Sequence, residues 1–118
     1  MGKFASSGLE QAQTVVSGTF GATGTSANAP FLGKFNFALW GTFAGTVSLQ
    51  KSYDGGTTWI IARDMNGNAM TLTAPDTRVI EEDEPGVLYD VTCSAYTSGT
   101  VNYRISAGAS RSNDARLT

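Results

Sequence analysis

The sequence predicts an all-β fold, a single β-sandwich of about eight short antiparallel strands, on three observations. Charged residues make up 15% of the chain, and glycine (14 residues), threonine and serine take their place. An ordinary globular domain carries roughly 25% charged residues; low charge with these small residues is what short strands and tight turns look like. Apolar residues recur at every second position through several segments, the period of a half-buried strand. Turn signals, above all Asp54-Gly55-Gly56 and Asn66-Gly67, separate those segments. An immunoglobulin domain would place two cysteines around a tryptophan. The chain has one cysteine, so a jelly-roll-like sandwich is expected in preference to an immunoglobulin-like one.

In chain order, residues 1–12 read as a small, polar N-terminal arm with isolated Lys3, Phe4 and Leu9. The sandwich occupies residues 13–107 and opens with a strand from Gln13 to Phe20. Gly21 to Pro30 reads as a surface loop. Lys34 to Trp40 alternates cleanly, with Phe35, Phe37 and Leu39 toward the core and Asn36, Ala38 and Trp40 away from it. Gly41 to Gly45 turns the chain. Thr46 to Tyr53 follows with Val47 and Leu49 inward, and pairs through Asp54-Gly55-Gly56 with a strand from Thr57 to Met65 that includes Ile60 and Ile61. Asn66-Gly67 then forms a hairpin to Asn68–Thr73. Thr77 to Glu82 is a short strand, and Glu81 to Gly86 a solvated acidic turn that keeps a sheet edge from pairing. Val87 to Tyr96 puts Val87, Tyr89, Val91, Cys93 and Ala95 on one face. Thr97-Ser98-Gly99 is a turn, and Thr100 to Ala107 puts Val101, Tyr103 and Ile105 inward. Residues 108–118 read as a polar C-terminal tail carrying Arg111 and Arg116.

The same residues exclude several kinds of function. A net charge of −2 with dispersed Lys and Arg gives no basic stripe to neutralise phosphates, so no nucleic-acid partner is expected. No apolar run approaches the roughly 18 residues of a membrane span. The N-terminus matches a loose myristoylation pattern that is common by chance. The chain has no histidine to activate Cys93, which is expected to be buried and inert. The acidic run lacks calcium-loop spacing, as does Asp64-Met65-Asn66-Gly67-Asn68. Trp40, Phe43, Trp59, Tyr89, Tyr96 and Tyr103 could form a sugar-binding platform, but most fall on faces expected to pack into the core. The expectation is a non-enzymatic protein without catalytic residues, metal or cofactor.

Ser52-Tyr53-Asp54-Gly55-Gly56-Thr57-Thr58-Trp59 matches the S-x-D-x-G-x-T-W pattern of an Asp box, as seen in sialidases and other propeller proteins. In such a turn the aspartate accepts backbone N–H bonds, the glycine adopts a conformation closed to other residues, and the tryptophan covers the turn. Ser52, Asp54, Gly56 and Trp59 are therefore expected to be a structural turn and its anchor. The box occurs once, without a blade repeat, which sets a sialidase aside.

The longer string from Phe35 to Trp59, with its cadence Gly-Thr-Val-Ser-Leu-Gln-Lys-Ser-Tyr-Asp-Gly-Gly-Thr-Thr-Trp, and the closing Tyr89 to Ser106 resemble a family of short all-β virion structural proteins of tailed bacteriophages. The resemblance covers roughly residues 33–107. It implies a capsid decoration (cement) protein on the outside of the head, made in the host bacterial cytoplasm. Such a protein would be a homo-oligomer whose partner is the major capsid protein or another virion protein. Lys3, Phe4, Leu9, Arg111 and Arg116 are the candidate contacts in the arms. Alternatives are a tail, neck or fibre component, or a carbohydrate-binding β-sandwich module.

Overall fold

A computed structural model describes residues 14–107. The two arms and their candidate contacts Lys3, Phe4, Leu9, Arg111 and Arg116 lie outside the described residues. The alternating segments form strands β1 (Thr14–Phe20), β2 (Gly24–Thr25), β3 (Ala29–Pro30), β4 (Gly33–Trp40), β5 (Phe43–Ser52), β6 (Ile60–Ile61), β7 (Thr71–Leu72), β8 (Asp76–Glu82), β9 (Leu88–Gly99) and β10 (Val101–Ala107). All strand pairs are antiparallel. One sheet has the order β1-β10-β4-β8; the other is built on β9 paired with β5. Strands β2 and β3 extend that second sheet beyond β9, and β6 and β7 extend it beyond β5.

The core lies between the sheets, where the period-two pattern places it. Phe35, Phe37 and Leu39 from β4 meet Val47 and Leu49 from β5, Tyr89, Val91 and Cys93 from β9, and Val101 and Ile105 from β10, all at most 2% exposed. Phe31, Phe35 and Tyr89 pack their rings together, with tilted and edge-on contacts at centroid separations of 4.7–6.2 Å. Such aromatic pairs add to the apolar area they bury.

Two corners carry the chain from one sheet to the other, and they lean on each other. The Gly41-Thr42 corner joins β4 to β5, and Gly99-Thr100 joins β9 to β10. The Thr100 amide donates to the Thr42 carbonyl at 3.0 Å. Gly41 (φ +115°) and Gly99 (φ +92°) both adopt left-handed conformations that side-chain-bearing residues avoid. A Cβ on Gly41 would stand 2.5 Å from the Thr100 carbonyl oxygen, and one on Gly99 would overlap Thr42 and come within 2.7 Å of Phe43 Cα.

Several local expectations need correction. Gly21–Pro30 is not wholly loop: Thr25 and Gly24 pair with Thr92 and Cys93, and Ala29 and Pro30 with Tyr89 and Leu88. Thr97-Ser98-Gly99 belongs to β9, because bulges at Ser94 and Thr97 let the strand continue while bending it toward the opposite sheet. The turn expected from Gly41 to Gly45 is shorter, since β5 begins at Phe43. The strands expected over Thr57–Met65 and Asn68–Thr73 shrink to two residues each, Ile60–Ile61 and Thr71–Leu72, because the intervening residues are taken up by turns.

Candidate functional site

The Asp-box turn sets the path of the segment that follows it. Asp54 Oδ1 accepts the Thr58 amide and the Ser52 hydroxyl, each at 2.8 Å, while Ser52 Oγ accepts the Gly56 amide at 2.9 Å. The Thr58 backbone bond, then the Ser52 hydroxyl, hold the Asp54 carboxyl down at about 2. Gly55 and Gly56 supply the positive φ angles the turn requires. Trp59 donates its indole N–H to the Gly56 carbonyl at 3.0 Å and lies against Gly56. The tryptophan is only half-buried and stands outside the core cluster, so it closes its own turn and does not reach between the sheets.

Beyond that turn, Ile60 and Ile61 pair with Lys51 and Gln50 at the sheet edge. Both isoleucines are strand residues, as expected, and both are exposed. Adjacent residues on a strand face opposite ways, and among the described residues no further strand covers β6. The chain then crosses to the other sheet, where the Met65 amide donates to the Val79 carbonyl at 3.1 Å and covers part of the free edge of β8. Asp64 fastens this crossing. Its Oδ1 accepts the Asn66 and Asn68 amides at 2.9 Å each, and its Oδ2 takes an ion pair from Arg78 at 2.8 Å. The carboxylate is thus committed to the loop and to Arg78, which agrees with the hairpin expected at Asn66-Gly67. Among the described residues no cluster of three or more His, Cys, Asp or Glu could hold a metal ion.

The result is an apolar side of the sandwich. Tyr53, Ile60, Ile61, Met65 and Val79 are each between 41% and 54% exposed along the segment that wraps this side and the strand it covers. Ile60 and Ile61 lie on opposite faces of β6 and Val79 on the outer face of β8, so these side chains flank the edge along which the chain crosses between the sheets. Its sequence signal was the doublet Ile60-Ile61, in which one side chain must face out.

Behind this side lies a buried polar knot that the acidic turn concealed. Glu82, expected in solvent, is 5% exposed. It accepts the Lys51 ammonium at 2.9 Å, the Tyr89 hydroxyl at 2.8 Å and the Glu84 amide at 3.1 Å. Glu82 follows Ile80 on the inward face of β8, so strand parity overrides the charge of the run. Burial works against ionising Glu82, but the Lys51, Tyr89 and Glu84 contacts outweigh it and hold the carboxyl below its usual value. Burial likewise opposes the Lys51 charge, yet Tyr53 and Glu82 beside it raise its pKa. The ammonium sits 4.9 Å from the centroid of the Tyr53 ring, tying the knot to the exposed side.

On the outward face of the second sheet, Asp90 stands opposite Gln50, 3% exposed, and its Oδ1 has no hydrogen-bond partner. Burial alone pushes its carboxyl up to about 6. A carboxyl raised on folding opposes the folded state once it ionises. The opposition is absent below about pH 4 and complete above about pH 6. Asp90→Asn is therefore expected to stabilise the protein by about 1–3 kcal/mol at neutral pH and by nothing near pH 4, read as the difference between the two unfolding profiles across pH. An unchanged midpoint at neutral pH contradicts it.

Comparison with known proteins gives no match: no family model, no curated protein and no solved structure matches the chain.

Proposed function

We infer that this chain is a structural component of a phage particle, a decoration protein that binds the outside of the capsid and bridges adjacent major capsid subunits. The exposed apolar side carries this reading. A sandwich that leaves Tyr53, Ile60, Ile61, Met65 and Val79 uncovered has a surface suited to protein contact. The resemblance over residues 33–107 supplies the kind of partner. The mechanism is mechanical: each copy buries area across a joint between subunits, on the order of 1,200–2,000 Å² for a specific interface. Many symmetric copies then oppose the pressure of packaged DNA together. The arms carrying Lys3, Phe4, Leu9, Arg111 and Arg116 add contacts to neighbours in this scheme, as a homo-oligomer on the head surface would require.

Purified heads lacking the protein, incubated with wild-type and variant chains, test it. Replacing Ile60 and Ile61 together by Asp is expected to lower occupancy roughly tenfold or more, the loss of about 1.4 kcal/mol or more of binding. Both side chains are exposed, so the melting temperature should stay near that of the parent. Deletion of residues 1–12 is expected to weaken occupancy further. Full occupancy by the Ile60/Ile61 variant overturns the assignment of this side to the capsid.

A further inference from the structure

The outer face of the β1-β10-β4-β8 sheet, whose strands do not include Ile60–Ile61, holds a second feature. Trp40 stands there 47% exposed, whereas Tyr89 and Tyr103 of the same aromatic set are in the core. It lies opposite Asn102 in the β4–β10 ladder, with Thr19 next in the row on β1. The adjacent row runs Ser17, Arg104, Ala38, Thr77. Ala38 is the small member of that row, and the dip over it is a groove of about 310 Å³ lined by Asn36, Ala38, Thr77 and Val79 together with Phe37 and Arg78. That volume is at the lower end of small-molecule sites, which begin at roughly 300 Å³.

Arg104 decides the chemistry. It lies in the middle of the face and makes no ion pair or side-chain hydrogen bond among the described residues. The other cation on this face, Lys34, has Glu81 opposite it. Arg104 is diagonal to Trp40 across the β4–β10 ladder, about 7–8 Å away.

We propose that this face binds an acidic saccharide, with one sugar ring stacked on Trp40 and its carboxylate paired with Arg104. An exposed indole offers a flat apolar surface that matches the C–H face of a pyranose. The hydroxyls and amides of Thr19, Asn36, Thr77 and Asn102 match the ring's hydroxyl rim, and a guanidinium recognises a carboxylate through two parallel N–H bonds. A nucleic acid fits poorly, because it needs many cations along a stripe, and among the described residues this face carries only Arg104 and Lys34, in a chain of net charge −2. Val79 borders both surfaces, but Trp40 and Arg104 belong to this face alone, so the Ile60/Ile61 variant and the Trp40 variant separate the two readings.

The test is a titration of the full chain, followed by ¹⁵N amide and indole NMR shifts, with oligogalacturonate, hyaluronan oligosaccharide and sialyllactose at millimolar concentration. Methyl-esterified oligogalacturonate serves as the uncharged control. At least one acidic saccharide is expected to shift the Trp40 indole and the Ala38 and Thr77 amides. Trp40→Ala should weaken that binding roughly tenfold or more at an unchanged melting temperature. Arg104→Gln should bind acid and ester alike. Shifts centred on Trp59, equal binding of acid and ester by the wild type, binding untouched by Trp40→Ala, or no shift with any of the three acids overturns the proposal.

Discussion

Gly99→Ala is expected to cost about 3–5 kcal/mol, a large part of the stability of a domain this size. Two effects combine. At φ +92° any side chain strains the backbone, and the added methyl would drive into Thr42 and Phe43 at the neighbouring corner. Neither obstacle is the free end of a flexible side chain. Relief requires the β4–β5 and β9–β10 corners to part, which breaks the Thr100–Thr42 hydrogen bond and disturbs both sheets at once. Gly55→Ala provides the contrast. It shares a positive φ, +76°, but no atom lies within 4 Å of its would-be Cβ. Only the conformational strain remains there, about 1–2 kcal/mol. Urea unfolding of both variants measures the difference, and equal losses would show that the corners do not bear on each other.

Glu82→Ala has an effect of similar size, about 3–5 kcal/mol, because removing one member of a buried ion pair leaves the other charge without compensation. Lys51 would keep its ammonium beside two aromatic rings, 18% exposed, and the Tyr89 hydroxyl would lose its acceptor. Replacing both partners, Lys51→Met with Glu82→Leu, should recover most of the loss, since an apolar pair of similar volume avoids desolvating two charges. The pH dependence has a definite sign. The folded-state pKa of Glu82 is depressed, so its contribution is present above the ordinary carboxylate range and disappears as pH falls through the lower folded value. Denaturation of the single and double variants at neutral pH checks the prediction. A double variant no more stable than Glu82→Ala would mean that the knot is irreplaceable by packing.

The fold was legible where period and turn chemistry agreed. Phe35, Phe37 and Leu39 alternate with polar partners in β4 and occupy the core, as do Val47 and Leu49 in β5. Trp40 follows the same alternation on the opposite face, so its exposure was written in the pattern even though aromatic residues are ordinarily assigned to packing. Glu82 was hidden for the opposite reason: three acidic neighbours suggested solvent, while its two-residue spacing from Ile80 pointed inward. The pairs Gly24–Thr25 and Ala29–Pro30 carry too few residues for any period to register. The reach of β9 to Gly99 depends on bulges at Ser94 and Thr97, each an extra residue that shifts the alternation at its own position. The apolar side could be anticipated only from Ile60-Ile61. Tyr53, Met65 and Val79 join it through the path of the chain, which no local pattern specifies.

Where the chain sits on a particle tests the proposed function most directly. A density map of purified phage particles should hold copies of this sandwich on the outside of the head, each spanning neighbouring capsid subunits with the edge that carries Ile60–Ile61 and Met65 against the shell. Particles without the chain, or copies confined to the tail, would contradict it.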